Sequence, residues 1–293
     1  MSATNHETRA GLFSLRSSRC EYGAGMTISG PIIVTGASTG IGAATTARLV
    51  AAGRTVITLD VKTPPPGAAT HHHCDLNDPA SIDATVAKLD GTYASLLNIA
   101  GVPGTLPSSV VVGVNTLGLR QLTDALFDRI ADGGTIVNVS SIAGNNWKKR
   151  ADPIRELLAT PDFASGAEWW TEHERTVGAD AYTFSKEAVV VYTMMLAGRG
   201  IARGIQVNDV GPGPVDTPIF PDFRAQVGAA QMDWLVSQTG RAAQPDDIAQ
   251  VLVWLAIGEH TWLNGQHLIV DGGYTAGMSS GWVDRTTSPL TRR

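Results

Sequence analysis

Pro31-Ile32-Ile33-Val34-Thr35-Gly36-Ala37-Ser38-Thr39-Gly40-Ile41-Gly42 carries the reading of the fold. Its first five residues are a short β-branched run, the mark of a strand buried on both faces. Ile41 to Val50 then reads as a helix, so strand, glycine turn and helix N-terminus follow without a break. Such a junction offers an anion free backbone N–H groups and the positive end of a helix dipole. Glycines serve where the backbone must approach a phosphate closely or take a positive φ. The spacing Gly-x-x-x-Gly-x-Gly departs from the usual dinucleotide fingerprint, so the turn alone is a weak signal. The next apolar run, Thr55-Val56-Ile57-Thr58-Leu59-Asp60, strengthens it. It ends in a carboxylate where the ribose hydroxyls of a dinucleotide are read. Asp60 would accept from both hydroxyls of NAD and repel the 2′-phosphate of NADP, with Lys62 softening the preference. The fold expected is α/β: a doubly wound, Rossmann-type parallel sheet with helices on both faces, in a single domain.

Tyr182-Thr183-Phe184-Ser185-Lys186 supplies the chemistry. A tyrosine and a lysine four residues apart share one face of a helix. An ammonium held there favours the phenolate and is expected to lower the tyrosine pKa from its reference of about 10. The pair then becomes a proton donor and acceptor near neutral pH.

From Gly30 to Gly273 the chain resembles the short-chain dehydrogenase/reductase family. The family's turn, Thr-Gly-x-x-x-Gly-x-Gly, is satisfied by residues 35–42, with Gly36, Ser38, Thr39, Gly40 and Ile41 implied to face the cofactor. Asp75-Leu76 fits the pair that lies against the adenine. Asn98-Ile99-Ala100-Gly101 stands where the family has Asn-Asn-Ala-Gly; the small Ala100-Gly101 end flanking the cofactor is kept. Asn115 matches the catalytic asparagine, and the Ser-x-x-Gly alignment selects Ser141 over Ser140. Pro212-Gly213, Val215 and Thr217 match the segment that pins the nicotinamide carboxamide. The resemblance implies roles for each. Tyr182 exchanges the hydroxyl proton, and Lys186 depresses its pKa and holds the nicotinamide ribose. Ser141 hydrogen-bonds the substrate oxygen where charge develops, while Asn115 holds a water that links Lys186 to solvent. It also implies a homodimer or homotetramer, built on the tyrosine helix and on a last strand from Gln266 to Val270.

Composition agrees. The 293 residues are 43% hydrophobic and only 17% charged, enough apolar material for one buried sheet. A net charge of −5 and the lack of a basic stripe make nucleic acid an unfavourable partner. No apolar run reaches the length of a membrane span. Two cysteines, Cys20 and Cys74, form no disulfide framework, and a cytoplasmic setting is expected. Residues 1–28 read as a disordered polar extension, with Met26 as the native start; residues 29–278 form the dehydrogenase domain. The tail, 279–293, is polar, with Trp282 expected on a neighbouring subunit.

In ordinary members of the family the serine and tyrosine lie close in sequence; here an insertion, about 145–179, separates them. Asp152-Pro153 is expected to open one helix, with aspartate at the cap, and Ser165 to cap a second carrying Trp169 and Trp170. The insertion is expected at the rim of the pocket, either as a lid over a bulky apolar substrate or as a surface and subunit contact. A similar insert occurs in the subgroup that resembles bacterial 3α-hydroxysteroid dehydrogenase and coniferyl alcohol dehydrogenase. Pro218 to Gly240, rich in Phe220, Phe223, Met232, Trp234 and Leu235, is expected to move and to line the pocket. The reading is thus an NAD-dependent oxidoreductase for a small hydrophobic alcohol or ketone. The competing reading is an NAD-sensing regulatory protein without turnover, a class that loses the tyrosine or the lysine; this chain keeps both. His71-His72-His73-Cys74 looks like a metal site, but consecutive strand residues face opposite ways and do not converge on one ion. No metal is expected.

Overall fold

The computed structural model describes residues 29–292, so the expected N-terminal extension lies outside the described residues. The chain alternates β1 (Ile32–Thr35), α1 (Gly40–Ala51), β2 (Val56–Asp60), β3 (Thr70–His73), α2 (Pro79–Val86) and β4 (Tyr93–Asn98). A long helix follows in three pieces: α3 (Ser108–Val112), a widened π-helical segment (Gly113–Gly118) and α4 (Leu119–Leu126). Then come β5 (Ile130–Val139), a 3₁₀ segment (Ile142–Arg150), α5 (Ala151–Ala159), α6 (Phe163–His173), α7 (Ala181–Gly200) and β6 (Gln206–Pro212). The rest is α8 (Phe220–Val227), α9 (Ala229–Thr239), α10 (Pro245–Ile257), β7 (His267–Val270) and α11 (Tyr274–Ser280).

The seven strands form one sheet in the order β3-β2-β1-β4-β5-β6-β7, every pair parallel. Alternation along each strand divides the core. Ile33, Leu96, Ile136 and Val207 face Leu117, Leu122, Phe184 and Val189 on one side. Ile32, Val34, Leu97, Val137 and Val210 face Leu49, Ile248 and Leu252 on the other. The strand order reverses between β1 and β4, and a crevice must open there at the carboxyl ends of the strands. Thr35 spans that point, its hydroxyl accepting from the N–H groups of Ile99 and Ala100, each at 3.0 Å.

The insertion folds as two helices, with boundaries that differ from the expectation. α5 begins at Ala151, which puts Asp152 and Pro153 inside the first turn, where Asp152 pairs with Arg155 at 3.0 Å. Asp162 caps α6 by accepting from the Ser165 N–H at 2.8 Å, so Ser165 is the capped residue and not the cap. α5 packs on α7, and α6 lies against α3 and the π-helical segment, where Gly166 meets Leu117. Ile154, Leu157 and Trp170 are buried in the core layer shared with Phe184. Arg120 of α4 reaches into the insertion. It donates to the carbonyls of Leu157 (3.0 Å), Leu158 (3.2 Å) and Asp162 (2.9 Å) and to the Thr160 hydroxyl (3.1 Å). Arg150 pairs with the fully buried Glu187 of α7.

Candidate active site

The crevice is a cavity of about 1060 Å³. Its floor at one end is the glycine turn. A Cβ on Gly42 would lie 2.0 Å from the Gly36 carbonyl oxygen, so only glycine lets α1 start this close to β1. No side chain caps α1 at Thr39, which leaves its first N–H groups to a ligand. Gly36, Ser38, Thr39, Gly40 and Ile41 all line the cavity, as do Asp60, Asp75, Leu76, Ala100, Gly101, Val215 and Thr217. Asp60 accepts one backbone N–H on each carboxylate oxygen, from Ser38 and from Lys62, both at 2.9 Å. Each oxygen keeps a second lone pair for a hydroxyl donor. The residues thus suit a dinucleotide: a tight backbone cradle for phosphate at one end, and a fixed acceptor beside it.

Asn98 sits elsewhere. It is buried below the cavity, where its amide donates at 2.8 Å to both the Thr123 hydroxyl and Asn138 Oδ1. It ties β4 to β5 and α4 and is not among the residues that line the cavity, whereas Ile99 and Ala100 are. The Asn138 partner was visible in the sequence as a lone polar residue inside Ile136-Val137-Asn138-Val139.

At the other end of the cavity Ser141, Tyr182 and Lys186 come together. Ser141 caps the 3₁₀ segment by accepting from the Ala143 N–H at 3.1 Å. Asp180 caps α7, taking the Thr183 N–H at 3.0 Å, and so sets the first turn that presents Tyr182. Lys186 donates to the Val139 carbonyl at 3.0 Å and lies 5.9 Å from the centre of the Tyr182 ring. Asn115 stands in the π-helical segment, the sort of local irregularity that recurs at functional sites. Its Oδ1 accepts from the Val102 N–H at 2.8 Å, and its Nδ2 donates to the Val102 carbonyl and to Ser185 Oγ. A Cβ placed on Gly101 would lie 3.3 Å from both Asn115 Oδ1 and Lys186 Nζ, which brings the two groups to the same face of that residue.

Burial reverses the expected shift of the tyrosine. It pushes the Tyr182 phenol up to about 12, the Ser141 hydroxyl opposing and Asp180 adding to the rise. Burial also lowers Lys186 to about 8, against the attraction of Asp209. Lys186 is buried and Tyr182 half-buried at the cavity wall, so the charged form of each is penalised by the protein packed around it.

Val102, Val110, Val114 and Ile142 form an apolar wall beside these groups, with Phe220, Phe223, Met232 and Leu235 opposite. Phe223 meets Tyr182 edge-to-face at 5.1 Å. Trp234 turns outward to Thr287, donating at 2.9 Å. Val102, Val110 and Val114 went unrecognised in the sequence, because apolar residues in a loop and on a helix look the same whether they line a cavity or a core. α8 is tied across the opening: Gln226 Oε1 accepts from the Gly104 N–H at 3.1 Å, and Thr105 bonds Asp222 at 3.3 Å. None of residues 144–179 lines the cavity, which favours the surface or subunit-contact reading of the insertion over the lid. Trp282 touches Gly277 of α11 with one edge and is 57% exposed. His71, His72 and His73 alternate along β3 opposite Thr58, Leu59 and Asp60.

The family model described as short chain dehydrogenase matches residues 31–151, and the one described as Enoyl-(Acyl carrier protein) reductase matches residues 170–275. A coniferyl-alcohol dehydrogenase of a Pseudomonas species is 37% identical over 243 residues, which is 83% of this chain and 95% of that protein. A 3-alpha-hydroxysteroid dehydrogenase/carbonyl reductase of Comamonas testosteroni is 29% identical, over 84% of this chain and 97% of that one. Among solved structures, the 3-alpha-hydroxysteroid dehydrogenase of Pseudomonas sp. B-0831 complexed with NADH superposes with a TM-score of 0.73 at 30% identity, covering 85% of this chain and 98% of that one.

Proposed function

The chain belongs to the short-chain dehydrogenase/reductase family, and on that footing we propose that it interconverts a hydrophobic secondary or aryl alcohol and its carbonyl compound, with NAD as the redox partner. The observation that carries this is the convergence of Ser141, Tyr182 and Lys186 at one end of a cavity whose other end is a glycine cradle beside Asp60. NAD supplies the hydride acceptor for the carbinol carbon. The protein handles the proton. Ser141 donates to the substrate oxygen and holds it toward Tyr182, which takes the hydroxyl proton as the carbonyl forms. Lys186, carried one turn further along α7, stabilises the phenolate, and Asn115 beside it joins the lysine to the proton exit. Asp60 favours NAD over NADP because a 2′-phosphate would meet a carboxylate already fixed by Ser38 and Lys62. The apolar wall favours a bulky ring-bearing alcohol, consistent with the coniferyl-alcohol and hydroxysteroid dehydrogenases that the chain resembles. The sensor reading has no support among these relatives.

We place the enzyme in the cytoplasm; among the described residues no helix is long and apolar enough to cross a membrane. We also infer a homo-oligomer, built through β7, which ends the sheet as an edge strand near the almost fully exposed Trp262. The deciding experiment is nicotinamide reduction with NAD and with NADP across aryl-allylic alcohols, hydroxysteroids and small secondary alcohols. Fast NAD-dependent turnover of one bulky class is expected. Tight NAD binding with no turnover on any member would favour the sensor.

A further inference from the structure

A buried acid–imidazole pair stands beside the proposed catalytic groups and is not used by the chemistry above. Asp209 of β6 is fully buried. Its register partner on β7 is His267, whose Nδ1 lies 2.6 Å from Asp209 Oδ1. His267 Nε2 lies 2.9 Å from Asn145 Oδ1. Ser140 Oγ donates to the same Asp209 oxygen and lies 3.3 Å from His267 Nδ1. Asp209 Oδ2 has no hydrogen-bond partner among the described residues.

A serine, a histidine and an aspartate in contact raise the thought of a nucleophilic triad, but the geometry excludes one. A triad sets the serine on the ring nitrogen remote from the carboxylate. Here serine and carboxylate share Nδ1, and Nε2 is taken by Asn145. The neighbours point to another use. Ser140 and Asn145 bracket Ser141, so the Asp209–His267 pair grips the corner that carries it from both sides. One residue earlier, the Val139 carbonyl accepts from Lys186 Nζ. Burying a carboxylate with one oxygen unpaired is costly, and its charge favours the ammonium of Lys186 against burial.

We propose that Asp209, held by His267 and Ser140, is a positioning carboxylate for the end of β5, where it fixes the Ser141 corner and the Val139 anchor of Lys186. This rests on the alcohol-dehydrogenase reading of the site. The ionisable groups around it are few. α7 brings Tyr182, Lys186 and Glu187, the last paired with Arg150. Asp180 caps that helix. β7 brings His267 and, just past its end, Asp271, which is engaged by the N–H groups of Gly273 and Thr275. Lys186 loses its proton as pH rises through its lowered pKa, so removing the Asp209 charge moves that loss to lower pH.

The test compares wild type, Asp209→Asn and His267→Gln by kcat/KM against pH, using NAD and the fastest alcohol of the panel. In Asp209→Asn the alkaline limb is expected to fall by about one pH unit, with the acid limb in place. His267→Gln keeps the carboxylate and offers it an N–H, and its limb is expected to stay. Asp209→Thr, smaller and uncharged, carries the same expectation as the asparagine variant should that one fold poorly. A uniform loss of rate with an unmoved profile would make Asp209 merely structural. An acid limb that moves to lower pH, the alkaline limb fixed, would show Asp209 acting on Tyr182 directly, and would also sink the proposal. A second readout needs no substrate: the Lys186 side-chain titration of each protein by NMR, identified by its loss in Lys186→Arg. Asp209→Asn is expected to lower the pH at which Lys186 gives up its proton. If that shift appears while no alcohol turns over, the positioning role survives and the alcohol reading fails. If alcohols turn over and neither profile moves, the reverse holds.

Discussion

Tyr182 and Lys186 are each driven by burial toward the neutral form, the phenol up to about 12 and the amine down to about 8. A proton acceptor with that phenol works only when something positive is brought close, so the site is expected to be inert as a base until the cofactor is in place. Tyr182→Phe removes the acceptor and leaves the cradle untouched. Turnover is expected to fall by at least about 100-fold, while NADH fluorescence titration gives an affinity close to wild type; tight turnover by the phenylalanine variant would end the acid–base assignment. Asp60 is tested separately. Replacing it with alanine removes the charge that a 2′-phosphate would meet, and the preference for NAD over NADP in kcat/KM is expected to drop by about tenfold or more. An unchanged ratio would move cofactor selection to another residue.

The glycine turn and α1 act as one element. In Gly42→Ala the added methyl meets the Gly36 carbonyl, and either α1 slides away from β1 or the turn opens. The expected cost is about 1–3 kcal/mol in thermal or urea unfolding, and NAD should restore less stability than it gives the wild type. The insertion is another element with its own prediction. Arg120→Met leaves the Leu157, Leu158 and Asp162 carbonyls without their donor, at a cost of about 1–3 kcal/mol. Limited proteolysis should then cut within residues 151–173, while kcat at a permissive temperature stays near wild type because the insertion does not line the cavity. A collapse of kcat with the fold intact would return the insertion to the substrate site. These two elements show what the sequence disclosed and what it withheld. Strand, turn and first helix were legible because β-branched residues and glycines act locally. The placement of the insertion was not, because Trp170, Leu157 and Arg120 find partners only through contacts distant in sequence, and apolar side chains do not announce which element they cover. The tyrosine shift was misjudged for a similar reason: the helix spacing to Lys186 is visible in the sequence, but the burial that outweighs it is not.

At the scale of the molecule, β7 ends the sheet with no further strand beside it among the described residues, and Trp262, just before it in the chain, is 98% exposed. An open edge and a large exposed apolar side chain are features through which chains associate. Sedimentation of the wild type should give a dimer or tetramer. Trp262→Glu should shift it toward smaller species at the same concentration; an unchanged distribution would place the contact elsewhere. The doubly wound parallel sheet and the glycine turn at one end of the crevice were readable in outline from the sequence, whereas the cavity's walls needed the packing of α8 and α9 over it.

Beyond the last strand, Val283 is buried, Ser288 donates to Gln231 of α9 at 2.9 Å, and Thr287 receives the Trp234 indole. The same helix turns Met232 and Leu235 into the cavity. The tail is therefore expected to act as a handle on substrate choice: a change at Val283 or Ser288 should retune which alcohols fit without touching any group that moves a proton or a hydride.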